Sequence, residues 1–506
     1  TMVEMNNSVR DSSLSVKATT AAKWSIVTQV IAKLISPVTT VILAHLLAPE
    51  AFAVIATVTM VVSFAEMFAD AGFQKYLIQH EYPSEGNFRL SIDVAFWTNF
   101  TIALLLWTII AVFNAEIAKI VGNDGLGVVI VVASASIPLV SLSSVQTAVY
   151  QRALDFKTLF SSRVSSAAIV LVVAVPLALL GFDYWAMIVS TIASNLFLAV
   201  WLTVKSSWKP SFRYSFAMLK QMFSFSIWTL LEAFSIWITS WAGTFVLGVV
   251  LSGYYLGMYK TSVSLVSAIT GLASSAINPI IFSSLSRLQD DRKRFDRTFY
   301  LMQKYLGIVL VPLAVCLFVF RDLFVGLLLG EQWLETSLFF GLYAAASSVV
   351  VVFCHTTAEA FRSLGKPCIS MASQVCYLIV LVPSLFITAS KGFFVFSVAV
   401  PIIRAVSSIL IDFLFCWKFV GLSPLVMLNN QKEIYGISIA VGLVCFVLVG
   451  LFSEYWQQVI VLMFGVISYL VAIVLVKPTR EVFADLLSRL GLINLFNKFL
   501  PSSLKL

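Results

Sequence analysis

KWSIVTQVIAKLISPVTTVILAHLL, residues Lys23–Leu47, is the stretch from which the fold can be read. A run of ~20 apolar residues rising ~1.5 Å each crosses the hydrocarbon of a bilayer, and this run is long enough. It nevertheless carries Lys33 about ten residues in, a depth at which an ammonium group must face protein or water. Stepping at helical spacing from Lys33 reaches Gln29, Ser36, Thr40 and Ala44, a narrow polar stripe, while the other faces are Ile, Val and Leu. One side of this helix meets lipid and the other meets something polar.

The rest of the chain has the same character. Of its 506 residues 60% are hydrophobic and 11% charged, against about 25% charged in soluble domains. Fourteen apolar segments can be traced, near 23–47, 51–71, 91–115, 126–150, 161–181, 184–204, 222–250, 258–283, 299–320, 335–360, 368–389, 392–417, 433–452 and 456–476. The fold class expected is an all-α polytopic membrane protein of about 14 transmembrane helices. With a cytoplasmic N-terminus, only Lys33, Lys119, Lys260, Arg321, Lys391 and Arg404 of the 33 Lys and Arg fall on outward connections or within spans. The other 27 (33 − 6) lie on the inner side, which places both termini in the cytoplasm. That asymmetry accounts for the net charge of +8 without a nucleic-acid partner. The polar N-terminal tail does not read as a signal peptide, since the first apolar run spans fully. Six cysteines, none in CxxC spacing, read as packing residues rather than disulfides or zinc ligands.

Several spans carry polar residues at helical spacing. Ser63, Glu66 and Asp70 share a face, and Asp93 opens the next span; all three acids lie near inner ends, where headgroup solvation is the plain reading. Glu232 sits about ten residues into its span, a depth matching that of Lys33. Lys260, Ser264, Ser267, Gly271, Ser274 and Asn278 follow at steps of three and four, either a wetted face or a small-residue packing seam. Ser348, His355, Glu359 and Arg362 read as one face of the tenth span, and Arg404, Ser408 and Asp412 as one face of the twelfth. Arg404 and Asp412 are two turns apart, so their partners must come from other helices or water. A basic connection, Lys205–Lys220, divides the chain near its middle. LAPEAFAVI (47–55) aligns without a gap to LSGYYLGMY (251–259), a shift of 204 residues (251 − 47), which points to a repeat. The domain order expected is a tail 1–20, a six-helix bundle 21–204, a linker 205–220, a second bundle 221–420, two accessory helices 432–477 and an interfacial amphipathic tail 478–506.

Reaction chemistry is missing from the motifs. There is no GxxxxGK[ST] loop, no HExxH, and only three histidines, His45, His80 and His355. The Asp290–Asp291 pair sits among basic residues as a solvated loop. No outward loop exceeds roughly 15 residues, too little for a folded catalytic segment by the usual loop lengths. A polar pathway without a reaction centre describes a transporter, not an enzyme, with no cofactor and no metal site expected.

Four short motifs carry a resemblance to a known family: Ala22-Lys23-Trp24-Ser25, Phe68-Ala69-Asp70-Ala71-Gly72, Gln151-Arg152-Ala153-Leu154-Asp155-Phe156-Lys157, and Ser286-Arg287-Leu288-Gln289-Asp290-Asp291. At these places in a 14-span chain the sequence resembles the Wzx-type polysaccharide and O-antigen precursor flippases of the MATE-like multidrug/oligosaccharidyl-lipid/polysaccharide superfamily. The likeness covers about residues 15–420. It implies two pseudo-symmetric six-helix bundles around a central cavity, plus two accessory helices. It also implies a cargo of oligosaccharide on undecaprenyl pyrophosphate, moved from the cytoplasmic to the periplasmic leaflet of the bacterial inner membrane. Anionic phosphates suit cationic side chains in a polar lumen.

Candidate cavity residues are therefore Lys33, Arg404, Lys260, Gln29, Asn278 and His45. The family commonly has arginine where this chain has His45, and a histidine meets an anion only when protonated. Glu232 and Asp412 are candidates for coupling transport to H+ or Na+. The partners expected are lipid-linked oligosaccharide and membrane lipid, with a polysaccharide polymerase and a chain-length regulator in the same process. A cation-coupled multidrug exporter and a peptidoglycan-precursor flippase share the fold and remain alternatives. A membrane glycosyltransferase or polymerase is disfavoured by the short outer loops.

Overall fold

The structure, a computed structural model, describes residues 35–489 except 71–72, 81, 154, 207, 276–284, 286–287, 289–290 and 453, together with residue 493. Among the described residues every regular element is helical. Twelve helices are long and apolar enough to cross a membrane, and they coincide with twelve of the fourteen expected segments. Of the other two, the first is described only over Ile35–Leu46. The eighth is a helix over Gly253–Ser275 that is long enough but, with its polar stripe, not among the twelve.

The chain divides into two compact units, Thr1–Lys260 and Thr261–Leu506. The first holds α1 (Ile35–Leu46), α2 (Pro49–Asp70), α3 (Phe73–Gln79), α4 (Glu85–Val112), α5 (Asn114–Ile120), α6 (Gly127–Ser134), α7 (Ser136–Arg152), α8 (Phe156–Leu179), α9 (Trp185–Lys205), α10 (Phe216–Val250) and the first turns of α11 (Gly253–Ser275). α2 is its central helix, packed on α4, α6, α7 and α10. The repeat read from sequence lands at matching places, since α2 begins at Pro49 and α11 at Gly253, the same shift of 204 (253 − 49). These two starts also touch. A Cβ on Gly257 would stand 1.8 Å from the Pro49 carbonyl oxygen and 3.3 Å from the Ala53 nitrogen. Gly257 is the residue aligned with Ala53, so the repeat meets itself where only glycine fits.

The QRALDFK motif has a structural role in this unit. Arg152 Nη1 donates to the carbonyls of Leu77, Ile78 and His80 at 2.9, 3.1 and 2.7 Å, satisfying the open C-terminal end of α3. Its guanidinium lies 4.9 Å from the Tyr82 ring centre and 5.0 Å from that of Phe88. Burial pushes the Tyr82 phenol up to about 12, so the ring under the cation stays neutral. Asp155 caps α8 by accepting from Thr158 N at 3.1 Å. Asp93 departs from the expected headgroup solvation. It is buried and accepts from Trp208 Nε1 (3.1 Å), Ser211 N (3.2 Å) and the Ser211 hydroxyl, tying the connection after α9 to α4. A carboxylate near a helix end buries readily when three donors replace its water.

The second unit holds α12 (Arg292–Val319), α13 (Arg321–Leu328), a 3₁₀ turn (Glu331–Thr336), α14 (Ser337–Val350), a π-helical turn (Val351–His355), α15 (Thr356–Ser363), α16 (Pro367–Ala389), α17 (Phe393–Val420), α18 (Pro424–Leu451), α19 (Tyr455–Leu475) and α20 (Lys477–Arg489). Asp291 of the loop pair caps α12, accepting from Arg294 N at 3.2 Å. The helices expected as accessory, α18 and α19, pack on each other and, through α18, on α12. Gln431 Nε2 donates to Gln303 O at 2.8 Å, and Tyr469 Oη to Ile308 O at 2.8 Å. The second bond follows from Pro312: without an N–H, it leaves the carbonyl four residues back, that of Ile308, open in a setting with no water. The start of the amphipathic tail, α20, turns Leu486 into the core of this unit, and Tyr305 donates to Asp485.

Tyr469→Phe should destabilise the protein by about 1–3 kcal/mol, the usual cost of an unsatisfied buried acceptor. Pro312→Ala restores an N–H for Ile308 O, so Tyr469→Phe should cost less in that background. Thermal melting of the four proteins of the cycle in detergent reads the coupling, and strictly additive losses would contradict this account of the contact.

Candidate functional site

In the second unit a polar cluster forms in the middle of the helices. The Arg404 guanidinium of α17 lies 4.6 Å from the Tyr343 ring centre of α14, and Arg404 Nη1 donates to the Tyr343 hydroxyl. Tyr377 of α16 stands beside Arg404 and Tyr343 and meets the Ser408 hydroxyl. Two turns below Arg404, Asp412 accepts hydrogen bonds from Ser373 of α16 and from the Cys354 thiol of the π turn. Arg404 and Asp412 thus find their partners on other helices, as their spacing required. Together three helices and the π turn present a cation, two phenols and a carboxylate along one interior.

The π turn changes one expectation. Ser348, His355, Glu359 and Arg362 were read as one face of a regular helix. The turn at Val351–His355 inserts a residue into the helical register, so Ser348 is fully buried whereas His355 is exposed. Beyond it Arg362 Nη1 pairs with Glu359 Oε1 at 3.0 Å.

In α11 the stripe separates its two readings. Ser264 and Ser267 are exposed, and a Cβ on Gly271 would meet nothing within 4 Å, whereas Ser274, the next residue of the stripe, is buried, as is Thr270 on the neighbouring face. A packing seam would bury the whole stripe, so its middle, at Ser264 and Ser267, is not spent on helix contacts. At its head Lys260 Nζ lies 3.4 Å from the Trp241 ring centre of α10. Nearby on α10, Trp237 Nε1 donates to Ser63 Oγ of α2 at 3.0 Å and its ring lies 4.8 Å from Phe64. His45 is exposed, its Nδ1 2.9 Å from the Val41 carbonyl oxygen. Gln29, Lys33 and Asn278 lie outside the described residues. Glu232 lies within α10, and its side chain is likewise outside what is described.

Tyr343, Tyr377, Ser373 and Trp241 were not singled out from the sequence. The signal that points to Tyr343 and Tyr377 is depth: each falls near the middle of its helix, as Arg404 does, and a buried cation needs neighbours at its own level.

With the helices and their polar interior in place, comparison with known proteins is informative. The model of a family described as "Polysaccharide biosynthesis protein" matches residues 42–338, more than half of the chain. The chain belongs to this family. The succinoglycan biosynthesis transport protein ExoT of Rhizobium meliloti is 25% identical over 68% of this chain and 68% of its own length. The lipopolysaccharide biosynthesis protein WzxC of Escherichia coli is 20% identical over 63% of this chain and 65% of its own length. Among solved structures, the inward closed lipid II flippase MurJ superposes with a TM-score of 0.75 at 13% identity, covering 92% of this chain and 99% of that one. An inward-facing multidrug resistance MATE transporter gives 0.62 at 13% identity, covering 77% and 95%. Both show the fold: this polysaccharide biosynthesis protein is an all-α, multi-span membrane protein of the MurJ and MATE kind. The Wzx-type resemblance read from four motifs agrees with the family and with a relative named for transport.

Arg404→Met keeps much of the side chain's length without its charge. Removing a buried charge that serves only packing is often neutral, because its desolvation cost disappears with it. We expect a melting temperature within a few degrees of the parent and loss of glycan export. A large fall in melting temperature would instead make Arg404 a structural residue.

Proposed function

We propose that this chain flips undecaprenyl-pyrophosphate-linked oligosaccharide from the cytoplasmic to the periplasmic leaflet of the bacterial inner membrane, by alternating access, for O-antigen, capsule or exopolysaccharide synthesis. The observation that carries the reading is the exposed polar stretch of α11 at Ser264 and Ser267. Such a face is costly in hydrocarbon and suits a wetted path for sugars. The names of the succinoglycan and lipopolysaccharide relatives support a polysaccharide precursor as cargo. Lys260, Arg404 and Lys33 are the groups for the pyrophosphate or acidic sugars, with Gln29, Asn278 and His45 along the path. Glu232 and Asp412 couple the cycle to H+ or Na+. In this reading two six-helix bundles, 21–204 and 221–420, carry out the cycle, both termini are cytoplasmic, and a polymerase and chain-length regulator take up the product.

A strain lacking this chain should accumulate the lipid-linked repeat unit where a membrane-impermeant glycan reagent applied to spheroplasts cannot reach it. Expression of the chain should restore access, and Lys260→Ala should not. Accumulated repeat units already reachable in the deletion strain would overturn the function, and full restoration by Lys260→Ala would remove that lysine from the path.

A further inference from the structure

In the first unit the basic connection between α9 and α10 is held along the side of α4. Trp208 is buried, and its Nε1 and the Ser211 N–H both donate to Asp93 Oδ1, at 3.1 and 3.2 Å. One turn further along α4, Trp97 Nε1 donates to Ser211 O at 2.9 Å, and Thr98 Oγ1 lies 2.9 Å from Tyr214 Oη. The Phe212 ring stacks on the Trp97 ring with 4.8 Å between centres. The connection thus follows α4 for about 7.5 Å, the rise of the residues from Asp93 to Thr98. That part of α4 belongs to a helix long and apolar enough to cross the membrane, Glu85–Val112.

What the connection turns outward is aromatic. Phe212 is 92% exposed, Phe216 78% and Tyr214 43%. Cations alternate with these rings: between Val204 and Met222 stand Lys205, Lys209, Arg213 and Lys220, and no acid. Two of the four are engaged at the end of α9. Lys205 Nζ lies 4.5 Å from the Trp201 ring centre, and Lys209 Nζ donates to the carbonyls of Thr203 and Val204. Arg213 and Lys220 are exposed, and among the described residues neither forms an ion pair. Asp93, the acid that holds the connection, is already taken up by three donors. Aromatic rings are favoured at the boundary between acyl chains and headgroups, and arginine and lysine beside them extend toward the phosphates. Beside a membrane-crossing helix, lipid is also the neighbour already in place.

We propose that the connection from Lys205 to Lys220 is a docking surface for anionic phospholipid. Phe212, Tyr214 and Phe216 lie among the upper acyl chains, and Arg213 and Lys220 bind the headgroup phosphates. Nothing in this surface depends on which cargo the transporter carries. Because the connection is tied to α4 and joins α9 to α10, the charge of the surrounding lipid acts on how these three helices are held.

Local fluorescence quenching reads the surface without transport. In the full chain with its six native cysteines replaced, a fluorophore is placed on Ala217→Cys, an exposed position in the first turn of α10 beside Phe216. The chain is reconstituted in bilayers of phosphatidylcholine and phosphatidylglycerol in which one lipid or the other carries bromine on its acyl chains. Both lipids should quench the fluorophore, and phosphatidylglycerol should do so beyond its share of the bilayer. At low salt that preference should fall roughly fivefold for each cation removed by Arg213→Gln and Lys220→Gln. Lys119→Gln, beyond the other end of α4, should leave it unchanged. Phe212→Gln with Phe216→Gln should lower quenching by both lipids. Absence of quenching by either lipid would put the rings in water or against a protein and overturn the proposal. Equal quenching by the two lipids, or a preference that survives Arg213→Gln with Lys220→Gln, would overturn it as well. The first two results are read on the chain that keeps all of these side chains, so a variant that fails to fold does not shield the proposal. Failure of the flippase reading would leave the result standing, since no bilayer contains a lipid-linked sugar.

Discussion

In a membrane-crossing helix a polar group has no bulk water to fall back on, so each one must be answered by protein or lie along a wetted path. That constraint runs through both units. The carbonyl freed by Pro312 is met by Tyr469, the carboxylate of Asp93 by Trp208 and Ser211, and Asp412 by Ser373 and Cys354. Arg404 rests on the ring and hydroxyl of Tyr343, and Lys260 on the face of Trp241. Ser264 and Ser267 of α11, by contrast, stand exposed.

Much of the architecture was legible because hydrocarbon thickness imposes one length scale on every apolar run. Twelve segments emerge where hydropathy placed them, and the shift of 204 between LAPEAFAVI and LSGYYLGMY reappears as the starts of α2 and α11. In α11 the stripe marked by helical spacing is exposed at Ser264 and Ser267 and buried at Ser274. Helical spacing misread the face from Ser348 to Arg362, because a π turn leaves no mark in a periodicity of 3.6. Composition could not show what answers a charge. Asp93 and Glu66 look alike in sequence, each an acid near the end of an apolar run, yet one is tied by three donors and the other lines a cavity.

The motifs that carried the family resemblance turn out to do different work from transport chemistry, where they are described. Arg152 closes the end of α3, Asp155 caps α8 and Asp291 caps α12. They define how the helices begin and end rather than what passes between them. The groups with chemistry suited to an anionic, sugar-bearing cargo are scattered singly over long helices, Lys260 on one and Arg404 on another. Such residues leave no local motif and become a site only through folding.

The central claim is that the α11 face is wetted rather than buried or lipid-covered, and cysteine accessibility measures it most directly. In a chain whose six native cysteines are replaced, Ser264→Cys and Ser267→Cys should react with a membrane-impermeant, charged thiol reagent. Val447→Cys, an exposed apolar position on α18, should not react. Lipid-linked oligosaccharide should slow the reaction at Ser264→Cys and Ser267→Cys. Unreactive cysteines at both α11 positions, on either side of the membrane, would contradict the account.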